Sequence, residues 1–252
     1  MKLALHAEWT KLRTVPGPLG LMVGAVAATV ALSAAATSVV TCEPGDCGGD
    51  MARLSLVGVA LGQALVAVLA VLIISGEFGT GMIRTTLAAV PRRSVVLAAK
   101  ALVLSGVVAA AGTVAVLGSL LAGRLVLPGH GDQALTLADG PTLRAVAGSV
   151  LYLVLIALLG LGVATAVRDS ATGIGIVLGL LYVLPILART IGDPRWQRAV
   201  EKVAPMSAGL AVQATTDLGG LPIGPWAGLG VTAAWAGAAL LLGGLLLRGR
   251  DV

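Results

Sequence analysis

Six long apolar runs separated by short polar segments dominate the pattern of hydrophobic and polar positions along the chain. Each run is close to the 17–25 residues with which a helix crosses the hydrocarbon core of a bilayer. No stretch shows the short alternating pattern of a transmembrane strand. The pattern therefore predicts an all-α integral membrane protein with six transmembrane helices, at about 19–40, 54–75, 95–121, 145–167, 171–187 and 226–247.

Composition supports this class. Of the 252 residues, 57% are hydrophobic and only 12% are charged, about half the charge of an ordinary soluble domain. Aromatic residues make up 3%, so the apolar mass is Ala, Val, Leu and Gly, which favours close helix packing. The net charge of +5 reports topology in such a protein, and no block of Lys and Arg is dense enough to predict nucleic-acid binding.

The charged residues of the polar segments predict the orientation. Both termini, the segment between spans two and three and the turn after span four carry ten of the 17 Lys and Arg but four of the 12 acids. Cytoplasmic loops carry the excess of Lys and Arg. We therefore expect a plasma-membrane protein with both termini in the cytoplasm.

Residues 1–16 have an amphipathic pattern. Leu5, Trp9 and Leu12 fall on one face at helical spacing, and Lys11 and Arg13 lie beside them. Such a helix can lie in the headgroup layer, so we expect an interfacial helix there. A frayed basic terminus is the alternative.

A second amphipathic segment, 76–93, lies between spans two and three. Its apolar positions recur at helical spacing, at Phe78, Met82, Ile83, Leu87 and Val90. Thr80, Arg84 and Thr85 lie elsewhere on the helix, and Pro91 ends it. We expect a helix at the inner membrane surface that offers its polar side to a soluble partner. A solvated loop with anchoring arginines is the alternative.

The loop between spans one and two contains both cysteines of the chain, Cys42 and Cys47. If this loop faces an oxidising exterior, the two are expected to pair as a disulfide. A metal site would need more ligands. His6 and His130 fall on opposite sides of the predicted membrane, so we expect no metal site.

Residues 190–225 are too polar to form a span. Asp193 and Pro194 are typical of a helix start, and Pro205 ends that helix. Apolar positions follow at Trp196, Val200 and Val203. We expect short external helices here, either interfacial and partly re-entrant or ordinary loop helices.

Several kinds of chemistry are missing from the sequence. The apolar centres of the spans lack charged residues, which a proton-coupled carrier usually needs, although Na⁺ coupling through backbone carbonyls is less strongly excluded. None of the four lysines follows a glycine, so a Walker A motif is absent. HExxH and GxSxG are absent too. We expect no enzyme activity and no cofactor in this chain.

Span two carries one conspicuous polar residue, Gln63. Its amide needs partners: it either links helices or lines a path for a substrate. Gly58 and Gly62 precede it, and Gly175 and Gly179 share their spacing in span five. With 35 glycines in the chain, such pairs arise by chance and do not indicate dimerisation.

Two motifs resemble those of the permease subunits of ABC-2 type transporters of the actinobacterial kind. One is EWTKLRT, residues 8–14, before the first span. The other is Glu77, then residues 81–87 (GMIRTTL), Pro91-Arg92-Arg93 and Lys100. Met82 departs from the Thr or Ser usual in the family. The six-span layout agrees over the full length.

The resemblance implies a fold and partners. The fold has an N-terminal interfacial helix and a cytosolic coupling helix. Two permease copies, here expected as a homodimer surrounded by lipid, pair with two separately encoded ATPases that hold ATP and Mg²⁺. Residues expected to couple to the ATPase are Glu77, Phe78, Gly79, Thr80, Gly81, Met82, Ile83, Arg84, Leu87, Arg92 and Arg93.

Substrate is expected to move outward along spans two and five. Residues assigned to this path are Gly58, Gly62, Gln63, Gly175 and Gly179, and those assigned to an external gate are Trp196, Val200 and Val203. We therefore expect export of an amphipathic or hydrophobic substrate, such as a drug, antibiotic, lipid or peptide. The alternative is a non-transport anchor, sensor or self-protection module of an ABC-like assembly.

Overall fold

The computed structural model of the chain describes residues 2–40, 49–89, 92–126, 139–190 and 193–249. Within these residues the chain is helical and contains no strand. The predicted Cys42–Cys47 disulfide lies outside the described residues, as do His130, Val90 and Pro91.

The helices run in the following order. They are α1 Lys2–Thr14, α2 Pro16–Ser38, α3 Met51–Ser55, α4 Val59–Gly79, α5 Met82–Ala89, α6 Arg93–Val126, α7 Gly140–Val167, α8 Ser170–Leu178, a π-helical turn Gly179–Val183, α9 Leu184–Thr190, α10 Pro194–Val203, α11 Pro205–Leu210, 3₁₀ turns Ala211–Gln213 and Leu218–Gly220, and α12 Pro225–Gly249.

Six helical stretches among the described residues are long and apolar enough to cross a membrane. They are α2, α4, α6, α7, the continuous stretch from α8 to α9, and α12. The protein is therefore an all-α, multi-pass membrane protein. Successive spans alternate in direction, which gives the bundle two ends. We call the end next to α1 the α1 end, and the end next to α10 the α10 end.

Several spanning helices differ by a few residues from the expected limits, two of them beside the segment between spans two and three. The second span starts at Val59, after a break that separates it from α3, and extends to Gly79 rather than to 75. The third begins at Arg93 rather than at 95. The expected limits followed the apolar runs, but a helix continues past a charged side chain when that charge finds partners. As a result Glu77, like Lys100, lies within a spanning helix.

The centre of the bundle is the parallel pair of α4 and α7, the second and fourth spans. In the most apolar 18-residue stretch of each of these two helices, 56% is buried, against 17–28% in the other four spans. Helix α7 packs against α4, α6 and α12, and α2 packs against α4 and α6. Aliphatic side chains without polar atoms, such as Val71, Ile156 and Leu159, fill this core.

Glycines let the backbones approach closely at two contacts. Between α7 and α12, a Cβ at Gly162 would lie 2.5 Å from the carbonyl carbon of Ala239, and one at Gly243 would lie 2.6 Å from the oxygen of Gly162. Where the chain meets α2 just before α4 begins, a Cβ at Gly58 would lie 2.0 Å from the oxygen of Thr29. Small residues at such contacts allow the dispersion packing that holds membrane helices together.

The two predicted external helices differ in their surroundings. Helix α10 has no buried residue, whereas the stretch 204–214 is largely buried within the bundle. There Gly209 packs against Tyr152 of α7. Tyr152 lies 12 residues into α7, about 18 Å along its axis. The second helical stretch therefore enters the bundle, and the first stays on its surface.

We predict that Gly243→Ala lowers the stability of the bundle by about 1–3 kcal/mol, because the added methyl group overpacks the contact with α7. Gly237→Ala is the matched control on the same helix, since nothing lies within 4 Å of its Cβ position. Both changes favour helix formation. Thermal unfolding in detergent measures the difference. Equal melting temperatures for the two variants would contradict the close contact.

Candidate functional site

Four charged side chains from three helices meet at the α1 end. Glu8 and Lys11 share a face of α1, Glu77 lies in the last turn of α4, and Lys100 lies two turns into α6. Lys100 Nζ donates to Glu8 Oε2 and Glu77 Oε1, both at 2.7 Å. Lys11 Nζ donates to Glu77 Oε1 at 2.7 Å and Glu8 Oε1 at 3.0 Å. We call these residues the ion cluster.

Three of the four side chains of the ion cluster are almost completely buried. The side chain of Lys100 has no exposed surface, and those of Glu8 and Glu77 are 7% exposed. Two cations face two carboxylates, so the formal charge of the cluster is zero. Moving such charges out of water costs several kcal/mol per ion, which their pairing offsets only when all four are present. The ion cluster therefore depends on every member.

Lys11 is the member nearest to solvent, with 31% of its side chain exposed. Partial burial lowers the pKa of Lys11, but the hydrogen bonds to Glu77 and Glu8 and their negative charges outweigh it, so its pKa lies above the ordinary value of 10.5. A raised pKa stabilises the fold at pH values below 10.5, and this contribution is lost only as the pH rises through the folded value. Lys11 is charged at neutral pH.

Helix α5 lies beside the ion cluster. A break of two residues separates it from α4, and Gly81 in this break has φ 71°, a conformation that side chains with a Cβ disfavour. Lys11 Nζ also lies 3.4 Å from Thr86 Oγ1 of α5. The end of α4 also contacts the turn between α7 and α8, where Arg168 lies over the ring of Phe78 at 5.3 Å.

The residues predicted to couple to an ATPase fall into three groups. Glu77 and Ile83 are buried, and Phe78, Leu87 and Arg93 are partly buried. The exposed members are Gly79, Thr80, Gly81, Met82, Arg84 and Arg92. In this conformation a soluble partner could therefore contact α5 and its flanking turns, whereas Glu77 lies within the ion cluster. Coupling itself stays a prediction.

Gln63 links two central helices. Its Oε1 accepts a hydrogen bond from the hydroxyl of Tyr152 on α7, and its Nε2 donates to the oxygen of Ala60 at 3.0 Å. Tyr182 donates to the same oxygen at 2.5 Å. Of the two roles weighed for Gln63, these contacts are those of an interhelical link.

The residues predicted to line a substrate path do not meet. Gly58 and Gly62 pack against Thr29 of α2. Gly175 is exposed, and Gly179 lines a groove of about 580 Å³ between α7, the α8–α9 span and α12. The lining is otherwise aliphatic apart from Trp235. The assigned path stays a prediction, and in this conformation Gly179 is its one member at this groove.

Asp50 links two segments of the chain at the α10 end of the bundle through hydrogen bonds. Its carboxylate accepts hydrogen bonds from the N–H and hydroxyl of Thr215, the latter at 2.7 Å, and from the N–H of Thr216 at 3.2 Å and of Arg53 at 2.9 Å. Partial burial raises the pKa of Asp50, but these hydrogen bonds outweigh it and hold the pKa below the ordinary value of 3.8. The chain after α11 is thereby tied to the start of α3.

The residues assigned to an external gate all lie on α10. Trp196 and Val203 are 62% and 57% exposed, and Val200 is partly buried. They form an apolar face on the surface of the α10 end, and their role as a gate stays a prediction. Across the described ranges, no three His, Cys, Asp or Glu side chains lie close enough together to hold a metal ion.

Sequence reasoning assigned Glu77 to a partner contact and did not assign a role to Glu8, Lys11 or Lys100. A signal was present, because Lys100 stands in the apolar run VVLAAKALVL. A lysine in such a run needs a partner of opposite charge. Glu8 and Glu77 are the acids on α1 and α4 that supply this opposite charge.

Comparison with protein-family models and with curated proteins finds no match to this chain. The ABC-2 resemblance therefore rests on the sequence motifs alone.

We predict that Lys100→Met destabilises the protein by about 3–5 kcal/mol, because Lys11 alone then faces two buried carboxylates and one negative charge is left uncompensated. Adding Glu77→Gln restores neutrality, so the double variant should lose about 1–3 kcal/mol less than the sum of the single losses. Unfolding in detergent measures all four proteins. Glu201→Gln with Lys202→Met, near the surface of the α10 end, is the control cycle and should be additive. Additivity at the ion cluster would contradict its coupling.

We predict a pH-dependent loss for Asp50→Ala. At neutral pH the variant should melt earlier, with a loss of about 1–3 kcal/mol. A lowered folded pKa stabilises at pH values above 3.8, and this contribution disappears as the pH falls through the folded value. The difference between parent and variant should therefore narrow below pH 3.8. Asp193→Ala, which removes only the local cap of α10, is the control. A difference that stays constant down to the lowest pH would contradict the role of the Asp50 charge.

Proposed function

We propose that the chain is the membrane subunit of an ATP-driven exporter and that a separately encoded cytosolic ATPase moves it. The observation that carries this proposal is the position of α5. This short helix exposes Met82 and Arg84, is joined to α4 by a two-residue break, and lies against the ion cluster. A force on α5 would act directly on α4 and, through the ion pairs, on α1 and α6.

The sequence supports an external source of energy. It contains no Walker A motif with which to bind ATP. Lys100 and Glu77 are charged residues within spanning helices, but they neutralise each other and Glu8 and Lys11. This favours a subunit that is driven over one that drives itself.

The ABC-2 resemblance and the excess of Lys and Arg support the proposed orientation, with the α1 end in the cytoplasm. We further propose a homodimer bound to two ATPase copies. The aliphatic groove of about 580 Å³ supports a hydrophobic or amphipathic cargo, since such walls offer few hydrogen-bond partners. Gly179 in its wall begins a π-helical turn, a feature that is frequent at functional sites.

The test changes the exposed surface of α5. We predict that Met82→Asp with Arg84→Glu lowers ATPase co-purification and ATPase stimulation about 30-fold, the effect of losing an interface hot spot of about 2 kcal/mol. The measurement uses the chain expressed with an ABC-type ATPase of the same cell, in detergent and in proteoliposomes. Neither residue belongs to the ion cluster, so insertion and melting should be unchanged.

The matched control is Leu218→Asp with Arg195→Glu. Leu218 is 42% exposed and Met82 is 46% exposed, but Leu218 and Arg195 lie at the α10 end. The control should keep full coupling. The proposal would be wrong if the α5 variant kept full coupling as well, or if the chain alone, without an ATPase, carried substrate. A stable complex with a sensor kinase and no ATPase would favour the non-transport alternative.

A further inference from the structure

A second groove lies at the α1 end, between the first turns of α6 and the last turns of α12. It has a volume of about 300 Å³. Leu97 and Ala101 line it on α6, and Leu241, Gly244 and Leu245 line it on α12. Leu241 and Leu245 are 70% and 65% exposed. The walls are thus apolar and open to the surroundings of the bundle.

Two arginines stand at the end of this groove. Arg93 begins α6 and Arg248 lies in the last turn of α12. Arg93 Nη1 donates to the oxygen of Leu247 at 2.6 Å and to that of Arg248 at 3.4 Å. These bonds satisfy carbonyls that the helix end leaves open and fix the Arg93 guanidinium beside the groove. The Arg248 side chain is exposed.

The groove has the depth and polarity of a lipid site. From Arg93 to Ala101 the α6 axis descends eight residues, about 12 Å. Both helices are long and apolar enough to cross the membrane, so the apolar walls lie at hydrocarbon depth and the arginines at the level of the headgroups. Guanidinium groups bind phosphate through paired hydrogen bonds. The positive charge lies where a phospholipid carries its phosphate.

We propose that this groove binds one anionic phospholipid of the leaflet at the α1 end. One acyl chain lies between α6 and α12, and the headgroup contacts Arg248. A second copy of the chain fits less well. A two-fold axis along the membrane normal keeps both copies at the same depth, so contact through this groove would bring the arginine pairs of the two copies together.

The experiment is native mass spectrometry of the protein in detergent with phosphatidylglycerol or phosphatidylcholine of the same acyl chains. The parent should retain phosphatidylglycerol preferentially. Arg248→Gln should lower that retention about fivefold, the effect of one arginine at an anionic surface, and Arg248→Lys should restore it. Arg195→Gln, which changes an exposed arginine at the α10 end, should have no effect. Arg93 is left unchanged because it also caps α12.

A second variant tests the apolar part of the site. The Cβ of a larger residue at Gly244 would lie 3.5 Å from Leu97 Cδ2, an ordinary contact, so Gly244→Leu should fold and fill the groove. It should lower retention about tenfold or more, because each excluded methylene is worth about 0.8 kcal/mol. Gly237→Leu is the matched control on the same helix, with open space around it.

A photoactivatable acyl chain on phosphatidylglycerol gives a measurement on the unchanged protein. Crosslinks should map to peptides that contain Leu97 to Ala101 or Leu240 to Leu245. Crosslinks that map elsewhere would overturn the proposal. Equal retention of the two lipids by the parent would overturn it too, as would unchanged retention in both variants. If Gly244→Leu instead converted a dimer to monomers and left the bound lipid unchanged, the groove would be a protein interface.

Discussion

The mutual neutralisation of two lysines and two glutamates in a buried site is the interaction on which the α1 end depends. Lys100 lies on a spanning helix with no exposed side-chain surface, and it is tolerated there because Glu8 and Glu77 approach it from two other helices. The cost of burying an unpaired charge is several kcal/mol. Separating α1, α4 or α6 from the others would incur that cost, so the three helix segments are held together as one unit.

This unit explains how a short surface helix could control a bundle of spans. Helix α5 follows α4 after Gly81, whose positive φ sets the direction of the chain. At the α10 end the corresponding contact joins one charged group to uncharged ones: the Asp50 carboxylate accepts hydrogen bonds from residues 215 and 216. Between the two ends lie mostly aliphatic packing and the Gln63–Tyr152 hydrogen bond. Each end therefore has its own set of polar contacts.

Much of the fold could be predicted from the sequence, because spans are specified by the length of apolar runs. The all-α class and the six spans are confirmed in the described residues. The second span extends past its expected limit to include Glu77, since apolarity alone cannot show that a charge has partners in distant parts of the chain. The packing of residues 204–214 inside the bundle was left open for the same reason. The candidate site was only partly predicted: Glu77 was singled out, but its partners Lys11 and Lys100 are 66 and 23 residues away in sequence and meet it only in the fold. Transport, the ATPase partner and the orientation remain proposals.

Hydrogen exchange of the α1 backbone tests the central claim most directly. If the ion cluster holds α1 on the bundle, the α1 amides of the parent exchange slowly, and Glu8→Gln with Glu77→Gln speeds their exchange about tenfold or more, the effect of losing about 1.4 kcal/mol or more of local stability. The amides of α12 serve as the internal reference and should not change. Exchange in α1 that is equally fast in the parent and in the variant, or equally slow in both, would contradict the claim.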